Sequence, residues 1–493
     1  MNRRALVPAP TDIAFLLLLF AAAVLRGWQA INTDGDLGRH LRVGRAILER
    51  GGLFHTDPFS FTMAGERFVP YEWLGEVSFA LAHSAAGLPG VVAFTGLIVA
   101  CTYLILSVLL RQLGVDPLLA FLVTILAGLA GAFHWLARPH ILTLLGTTVL
   151  MWLLESHRRR GLKQWEPLGC FILFAFWANL HGGFLFGLVL LGMYLIGDLT
   201  GSREVLPRHA QMLGAAMLGS MLNPVGPTLL AHVTGYLGKS YLVDMTLEYR
   251  SPDFHGWIGR VFLVALLMMV GGLAQSRRPL PVRWLLVILA STAFALHSVR
   301  NVPLWAITAL PLATLHLDAD WRALNSRVVL RMRAAFAEAA SGSVPGLWSG
   351  AGAMVLIGLA LAGGRLGGAQ ILPDRFDPWA LPVDVVMQAR ESGANGRMFN
   401  ELGWGGYVLH AWPEQKVYID GQTDFYGEAL SREYVSVRAA EPGWERILAR
   451  RRIDLVLLPA EAPLSRVLEH DSGWVLASNR RNAVLFARRA PAP

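Results

Sequence analysis

The chain has 493 residues, of which 54% are hydrophobic and only 16% charged, with a formal net charge of +8. That apolar excess excludes a soluble globular protein of ordinary composition, and windows of roughly 20 apolar residues, each enough to cross about 30 Å of hydrocarbon, recur over the first three-quarters. The basic residues sit in short blocks between apolar segments, a pattern that sets membrane topology and needs no nucleic acid partner.

The opening stretch MNRRALVPAPTDIAFLLLLFAAAVLRGWQA has the charged-then-apolar form of a secretory signal. Its long apolar run and the polar loop behind it favour an uncleaved first span at 12–30. Further spans are predicted at 89–110, 117–135, 141–156, 167–180, 183–199, 209–223, 258–274, 283–299, 302–317 and 348–365, about eleven in all. The stretch 71–87, YEWLGEVSFALAHSAAG, is short and polar, and reads as an amphipathic helix along the interface. Cys101 and Cys170 both lie in apolar segments and form no CxxC pair, so they carry no redox information.

With the N-terminus cytoplasmic, the inside connections carry Arg3 and Arg4, Arg111, Arg158 to Arg160 with Lys163, then Arg203 and Arg208. Arg277, Arg278 and Arg283 follow, and finally Arg322, Arg327, Arg331 and Arg333; the short outside loops hold few basic residues. An odd number of spans places the C-terminal segment on the outer face. From Phe376 the charge density becomes ordinary and turn residues recur. GRMFNELGWGGYVLHAWPEQKVYIDG reads as strands broken by Gly and Pro. SREYVSVRAAEPGWERILARR reads as helix, and IDLVLLP, GWVLASN and NAVLFAR as strands. The predicted organisation is a transmembrane domain 1–365 (with a first outer loop 31–88), a linker 366–375 and a periplasmic α/β domain 376–493.

The unusual polar residues all fall on the predicted outer face. Asp34, Asp36, His40 and Arg42 follow the first span; Glu72 and Glu76 lie four apart on the interfacial helix. Arg138 and His140, Asn179 and His181, Asn223, Glu248 and Arg250, and Arg300 occupy later outer loops. Ionisable groups at membrane depth are costly and mark sites. Each also has a structural reading. Asp34 or Asp36 can cap the helix beginning near Leu37, GRHLRVGRAILERG can be a surface helix, and Arg138 can snorkel to the interface. His181 can close a glycine turn, and Asn223-Pro224 can terminate a helix. Convergence on one face favours a single polar cavity.

No GxSxG elbow, P-loop or HExxH is present. What remains is carboxylates with arginines and histidines at a membrane surface. A carboxylate can deprotonate an acceptor hydroxyl, and Arg or His can hold a phosphate that gains charge as it departs. This suits group transfer from a lipid phosphate carrier.

The segments DGDLGRHLRVGRAILERG, TDPFSFTMAGERFVPYEWLGEV, ARPH, WANLHGGF, LNPVG, EYRSPDF, VRNVP, GRMFNELGWGGYVLHAWP and KVYIDGQTDFYG resemble those of bacterial glycosyltransferase-like membrane proteins. More broadly, the chain resembles the GT-C class of integral-membrane glycosyltransferases, which use polyprenyl-phosphate sugars. The resemblance implies an α-helical polytopic membrane protein of the GT-C type, acting in the cell envelope. It implies Asp36 as the essential acid with Asp34 in support, Arg138 or Arg300 for the carrier phosphate, and Glu72 for acceptor or sugar. Two departures, Leu37 after the key Asp and Tyr71-Glu72-Trp73-Leu74 in place of an HPPL-type stretch, leave use of a divalent cation open. No metal ligands are assigned. Trp404, Tyr407, Asp420, Asp424 and Tyr426 are candidates to bind the acceptor, although Trp and Tyr at positions such as 404 and 407 more often fill a core. The expected function is inverting transfer of a sugar to an outer-leaflet or periplasmic acceptor. A GT-C-like scaffold without catalysis is the alternative, and a transporter is disfavoured by the lack of internal repeats.

Overall fold

The structure is a computed structural model, describing residues 6–33, 35–160, 163–201, 203–238, 241–242 and 247–489. Each predicted apolar segment coincides with a helix. The first is α1 (Pro10–Phe20), continued by a π-helical turn at Ala21–Leu25 and by α2 (Gly27–Asn32). After α3 (Asp36–Arg50) come α4 (Trp73–Gln112), α5 (Pro117–Gly131), α6 (His140–Arg160), α7 (Glu166–Leu180), α8 (Phe184–Gly201) and α9 (Leu206–Ser220). Trp257–Gln275, Val282–His297, Val302–Ala323 and Leu347–Leu361 continue the series. By length and composition, 5 helices among the described residues are apolar enough to cross a membrane by themselves, or 6 if the pair Arg327–Gly342 and Leu347–Leu361, bent by 81°, is one span. Shorter apolar helices at Pro10–Leu25, His140–Ser156, Glu166–Leu180 and Val282–His297 accompany them. The chain is a multi-pass membrane protein.

The helical core closes around Tyr103, Trp135, Phe174, Trp177, Tyr194, Phe262 and Trp305, all fully buried. On the outside, Leu218, Leu222, Leu267, Met354 and Val355 each expose more than half their surface, as side chains solvated by lipid do. The interfacial helix predicted at 71–87 is present but continuous with the next span. Helix α4 begins at Trp73 and breaks only at Ala86 (φ −150°) and Gly87, whose φ of 63° suits glycine. Among the described residues of the membrane part, two helices were not foreseen as elements, as Val383–Glu391 and Pro463–Leu468 were not in the C-terminal part. Thr228–Leu237 lies in what reads as a loop, and Arg327–Gly342 in what reads as a basic connection.

The C-terminal part holds a four-stranded sheet in the order β3-β4-β6-β5 (β1, Arg365–Leu366, and β2, Ala369–Gln370, form a separate hairpin). β3 (Arg397–Asn400) runs parallel to β4 (Ile453–Pro459), and β6 (Ala483–Arg488) pairs antiparallel with β4 and with β5 (Trp474–Arg480). Helices Thr423–Arg438 and Trp444–Arg451 flank it. Two predictions fail here: KVYIDG forms no strand, only an isolated bridge from Val417 to Ser60, and GWGGYVLHA is not strand but a 3-10 turn, Leu402–Trp404, leading into the helix Gly405–Ala411. Its glycines are there for close backbone approach rather than for turns.

That helix docks on α3. Gly35 N–H donates to Gly403 O at 2.9 Å. A Cβ on Gly38 would lie 2.5 Å from Gly406 O and 2.8 Å from Gly406 C, and one on Gly406 would lie 2.3 Å from Gly35 O. All are backbone atoms with nowhere to move. Replacing Gly38 by Ala is therefore expected to cost about 1–3 kcal/mol through overpacking, read as a lower thermal midpoint. An unchanged midpoint would show that the contact is looser than this. A second hydrophobic cluster runs without a break from Phe15, Leu37 and Leu41 through Tyr407 and Val408 to Leu455 and Leu485. The segment 31–88 and the C-terminal sheet thus share one core.

Candidate functional site

Helix α3 sets the centre of the site. Asp36, Arg39 and His40 are three and four residues apart and share one face. Arg39 is the hub. Its guanidinium lies 3.1 Å from Glu76 Oε1 and 3.2 Å from Asp420 Oδ1, donates to Gln422 Oε1, and retains only 6% exposure. His40 Nδ1 is 3.5 Å from the same Glu76 oxygen. Asp420 is in turn held by the Tyr426 hydroxyl, which donates to it at 3.0 Å. The turn Asp420-Gly421-Gln422 lies against Asp36, such that a Cβ on Gly421 would lie 1.9 Å from Asp36 Oδ1.

Arg138, in the turn between α5 and α6, reaches Asp36 Oδ2 at 3.3 Å and Glu248 Oε1 at 3.7 Å. His134 Nε2 stands 3.6 Å from Glu248 Oε2 and stacks on His140 with ring centroids 4.1 Å apart. Asp36, Arg138 and Glu248 keep 25%, 19% and 28% of their side-chain surface exposed, so this end of the cluster is open rather than plugged. Arg300 stacks on Tyr249, 4.5 Å from the ring centre. It is near enough to act electrostatically on His181 and Glu248.

A second arm leads to Glu72. Gly183 N–H donates to His181 Nδ1 at 2.9 Å, and Thr143 Oγ1, which accepts from Trp177 Nε1, is 2.8 Å from the same nitrogen. With Nδ1 accepting, the proton sits on Nε2, which faces Glu72 at 3.5 Å. His181 is thus a donor aimed at a carboxylate, and its glycine turn is what aims it.

The electrostatics follow from burial and these partners. Burial pushes the Asp36 carboxyl up to about 6, against the pull of His40. Burial likewise raises Glu72 to about 7. Glu248 goes the other way: burial raises it, but Arg138, His134 and Arg300 outweigh burial and hold it below the usual range. Burial, helped by Arg300, drops His181 to about 3 and keeps it neutral. Burial lowers His40, yet its hydrogen bond to Glu76 leaves it raised. One carboxylate poised near neutrality beside a fixed guanidinium is an arrangement able to take a proton and hold an anion at adjacent points.

The structure therefore gathers Asp36, His40, Glu72, Glu76, Arg138, His181 and Glu248, with Arg300 at the edge. It does not gather all the predicted residues. Arg42, nearly two turns along α3, points away to Glu49 at 3.8 Å and over Phe59. Arg250 is exposed, and its side chain makes no hydrogen bond or ion pair among the described residues. His140 gives its Nε2 to the His134 carbonyl at 2.8 Å. Asn179 bridges Trp73 Nε1 and the Leu222 carbonyl, both at 2.7 Å, so it ties helices together. Asp34 lies outside the described residues. Trp404 and Tyr407 are core side chains, 6% and 5% exposed, and offer no ring face to a sugar. Arg39, His134, Thr143 and Gln422 were missed. Only Arg39, one turn from Asp36, left a signal in the sequence.

Among the described residues, the donor set does not fit a divalent cation. Asp36 and Glu248 are held by Arg138, and Glu76 and Asp420 by Arg39. Among the described residues no group of three or more His, Cys, Asp or Glu is arranged to hold a metal ion.

No protein-family model matches the sequence, and no curated protein does. Solved structures do match. The archaeal oligosaccharyltransferase AglB from Archaeoglobus fulgidus, solved with an inhibitory peptide and a dolichol-phosphate, aligns with TM-score 0.61 at 12% identity, over 92% of this chain and 69% of that one. ArnT from Cupriavidus metallidurans, solved bound to undecaprenyl phosphate, aligns with TM-score 0.52 at 12% identity, over 96% of this chain and 98% of that one. Both are GT-C glycosyltransferases, and the chain described here has the GT-C fold.

Proposed function

We propose that the chain is a membrane glycosyltransferase that moves a sugar from a polyprenyl-phosphate donor to an outer-leaflet or periplasmic acceptor. The observation that carries this reading is the 3.3 Å approach of Arg138 to Asp36 at the open end of a polar cluster in this fold. It is supported by lipid phosphate carriers bound to neighbours of the same fold. Asp36 takes the acceptor hydroxyl proton as that oxygen bonds to the anomeric carbon from the face opposite the phosphate. The bond from that carbon to the phosphate oxygen breaks, its electron pair leaves with the polyprenyl phosphate, and the configuration inverts. Arg138 and Arg300 receive the growing charge on the phosphate. Glu72, oriented by His181, contacts sugar or acceptor hydroxyls.

In this reading about eleven crossings place the N-terminus in the cytoplasm of a bacterial cell, with 376–493 as a periplasmic domain beyond the linker 366–375. The basic residues at the far ends of the helices from the cluster support that orientation. The purified chain in lipid discs, given labelled polyprenyl-phosphate hexoses and pentoses and an envelope extract, should release polyprenyl phosphate from one donor. Binding of the carrier without turnover of any donor would favour the non-catalytic scaffold.

A base must be ionised to act. With Asp36 raised to about 6, kcat/KM is expected to rise with pH and level off above about 6, a limb that reports the free enzyme's base. A profile flat between pH 5 and pH 7 (roughly the window in which such a group titrates) would remove Asp36 from that role.

A further inference from the structure

Helix α8 (Phe184–Gly201) starts beside His181 and ends about 27 Å away, at 1.5 Å per residue. At that far end the turn after α8 and Arg283 enclose a cavity of about 550 Å³, lined by Thr200, Gly201, Arg203, Glu204, Val205 and Arg283. A second cavity of about 280 Å³ shares Gly201 and Arg283, but is otherwise walled by Gly197 and Pro279 to Val282. One compartment is polar with two guanidinium groups, and the adjoining one is apolar.

Arg283 is built into this place. Asp198, fully buried, accepts its Nη1 at 2.8 Å and also contacts His209. A Cβ on Gly197 would lie 2.3 Å from Arg283 Cα, so α8 runs directly against the arginine backbone. Arg203 is exposed and makes no ion pair or hydrogen bond among the described residues. Ile196, Leu199 and Val282, beside the cavities, are exposed apolar side chains, while Thr200, Arg203 and Glu204 are exposed polar ones, so apolar and polar surface meet here.

We propose that this double cavity is a binding site for an anionic phospholipid, on the opposite side of the helical bundle from the Asp36 cluster. Arg203 and Arg283 hold the phosphate, since guanidinium forks match phosphate oxygens. Thr200 and Glu204 meet hydroxyls of a glycerol headgroup, and Leu280 and Val282 cover the start of an acyl chain. The site is independent of the transfer chemistry, because none of its residues belongs to the outer cluster.

The test is thermal unfolding of the detergent-solubilised full chain titrated with dioleoylphosphatidylglycerol, dioleoylphosphatidylcholine or inorganic phosphate. Phosphatidylglycerol should raise the midpoint saturably, with the other two far weaker. R203E should weaken that effect about tenfold or more by reversing a surface charge, whereas R203K should keep most of it. Leu280→Trp, which fills the apolar compartment, should weaken it as well. Equal protection by phosphatidylcholine or by inorganic phosphate would overturn the lipid assignment, and an R203E response matching wild type would overturn the site. Arg203 is exposed and makes no ion pair or hydrogen bond among the described residues, so its replacement is not expected to threaten the fold.

Discussion

Replacing Asp36 by Asn is expected to reduce sugar transfer by about 10²–10⁴-fold, the usual contribution of a positioned general base, while leaving insertion and folding intact. The amide keeps the shape of the carboxylate but cannot accept the acceptor's proton. The fold tolerates the change because Arg138 keeps its second partner, Glu248, at 3.7 Å, and the helix end is held by Gly35 and Gly403 backbone. Transfer assays on wild type and variant, matched for membrane level and thermal midpoint, check this. A variant with full activity would move the base elsewhere in the cluster, with Glu72 as the next candidate. The loss should appear in kcat, with carrier affinity unchanged or tighter, because removing a negative charge beside Arg138 favours the phosphate.

Replacing Arg39 by Met should be the most destabilising of these changes. The guanidinium lies between Glu76 and Asp420 with 6% exposure, so its removal leaves Asp420 without a cation and Glu76 with His40 alone. Breaking a buried ion pair in this way costs about 3–5 kcal/mol. The damage should also be directional. Arg39 belongs to the first outer loop and Asp420 with Gln422 to the C-terminal part, so the variant is expected to become protease-sensitive between them before the helical bundle unfolds. Arg39→Lys should fall between the two, since one ammonium cannot span both partners. Adding Asp420→Asn to Arg39→Met should recover part of the loss. An Arg39→Met protein with wild-type midpoint and protease pattern would show that the C-terminal part is held mainly by the apolar contacts of α3.

Much of the fold was legible because apolar runs must be helices in a bilayer, where backbone groups find no water. The same physics hid the Gly405–Ala411 helix. Its glycines read as strand punctuation, yet they are set by the close approach of Ile419 and Gly35 backbone, and a one-dimensional pattern does not carry tertiary proximity. In the site, Asp36 and His40 came from the polar run after the first span, and Glu72 and Glu76 from their four-residue spacing on one helical face. The hub Arg39 was passed over because its partners, Asp420 and Gln422, lie at the other end of the chain. Arg42 and Arg250 were included because charge in an outer loop was the only criterion. Their side chains face Glu49 and solvent instead. For Trp404 and Tyr407 the core reading holds over the sugar-stacking one, since aromatic residues that could stack on sugars are more often needed to fill a core.

The central claim is that Arg138 and Asp36 form a place for a lipid phosphate and its reacting sugar. The direct measurement is an experimental structure of the chain in lipid discs with undecaprenyl phosphate added. The account predicts phosphate density within hydrogen-bonding reach of Arg138, on the open side beside Asp36. Phosphate density settled elsewhere, with the Asp36–Arg138 pair unchanged and solvent-filled, would contradict it.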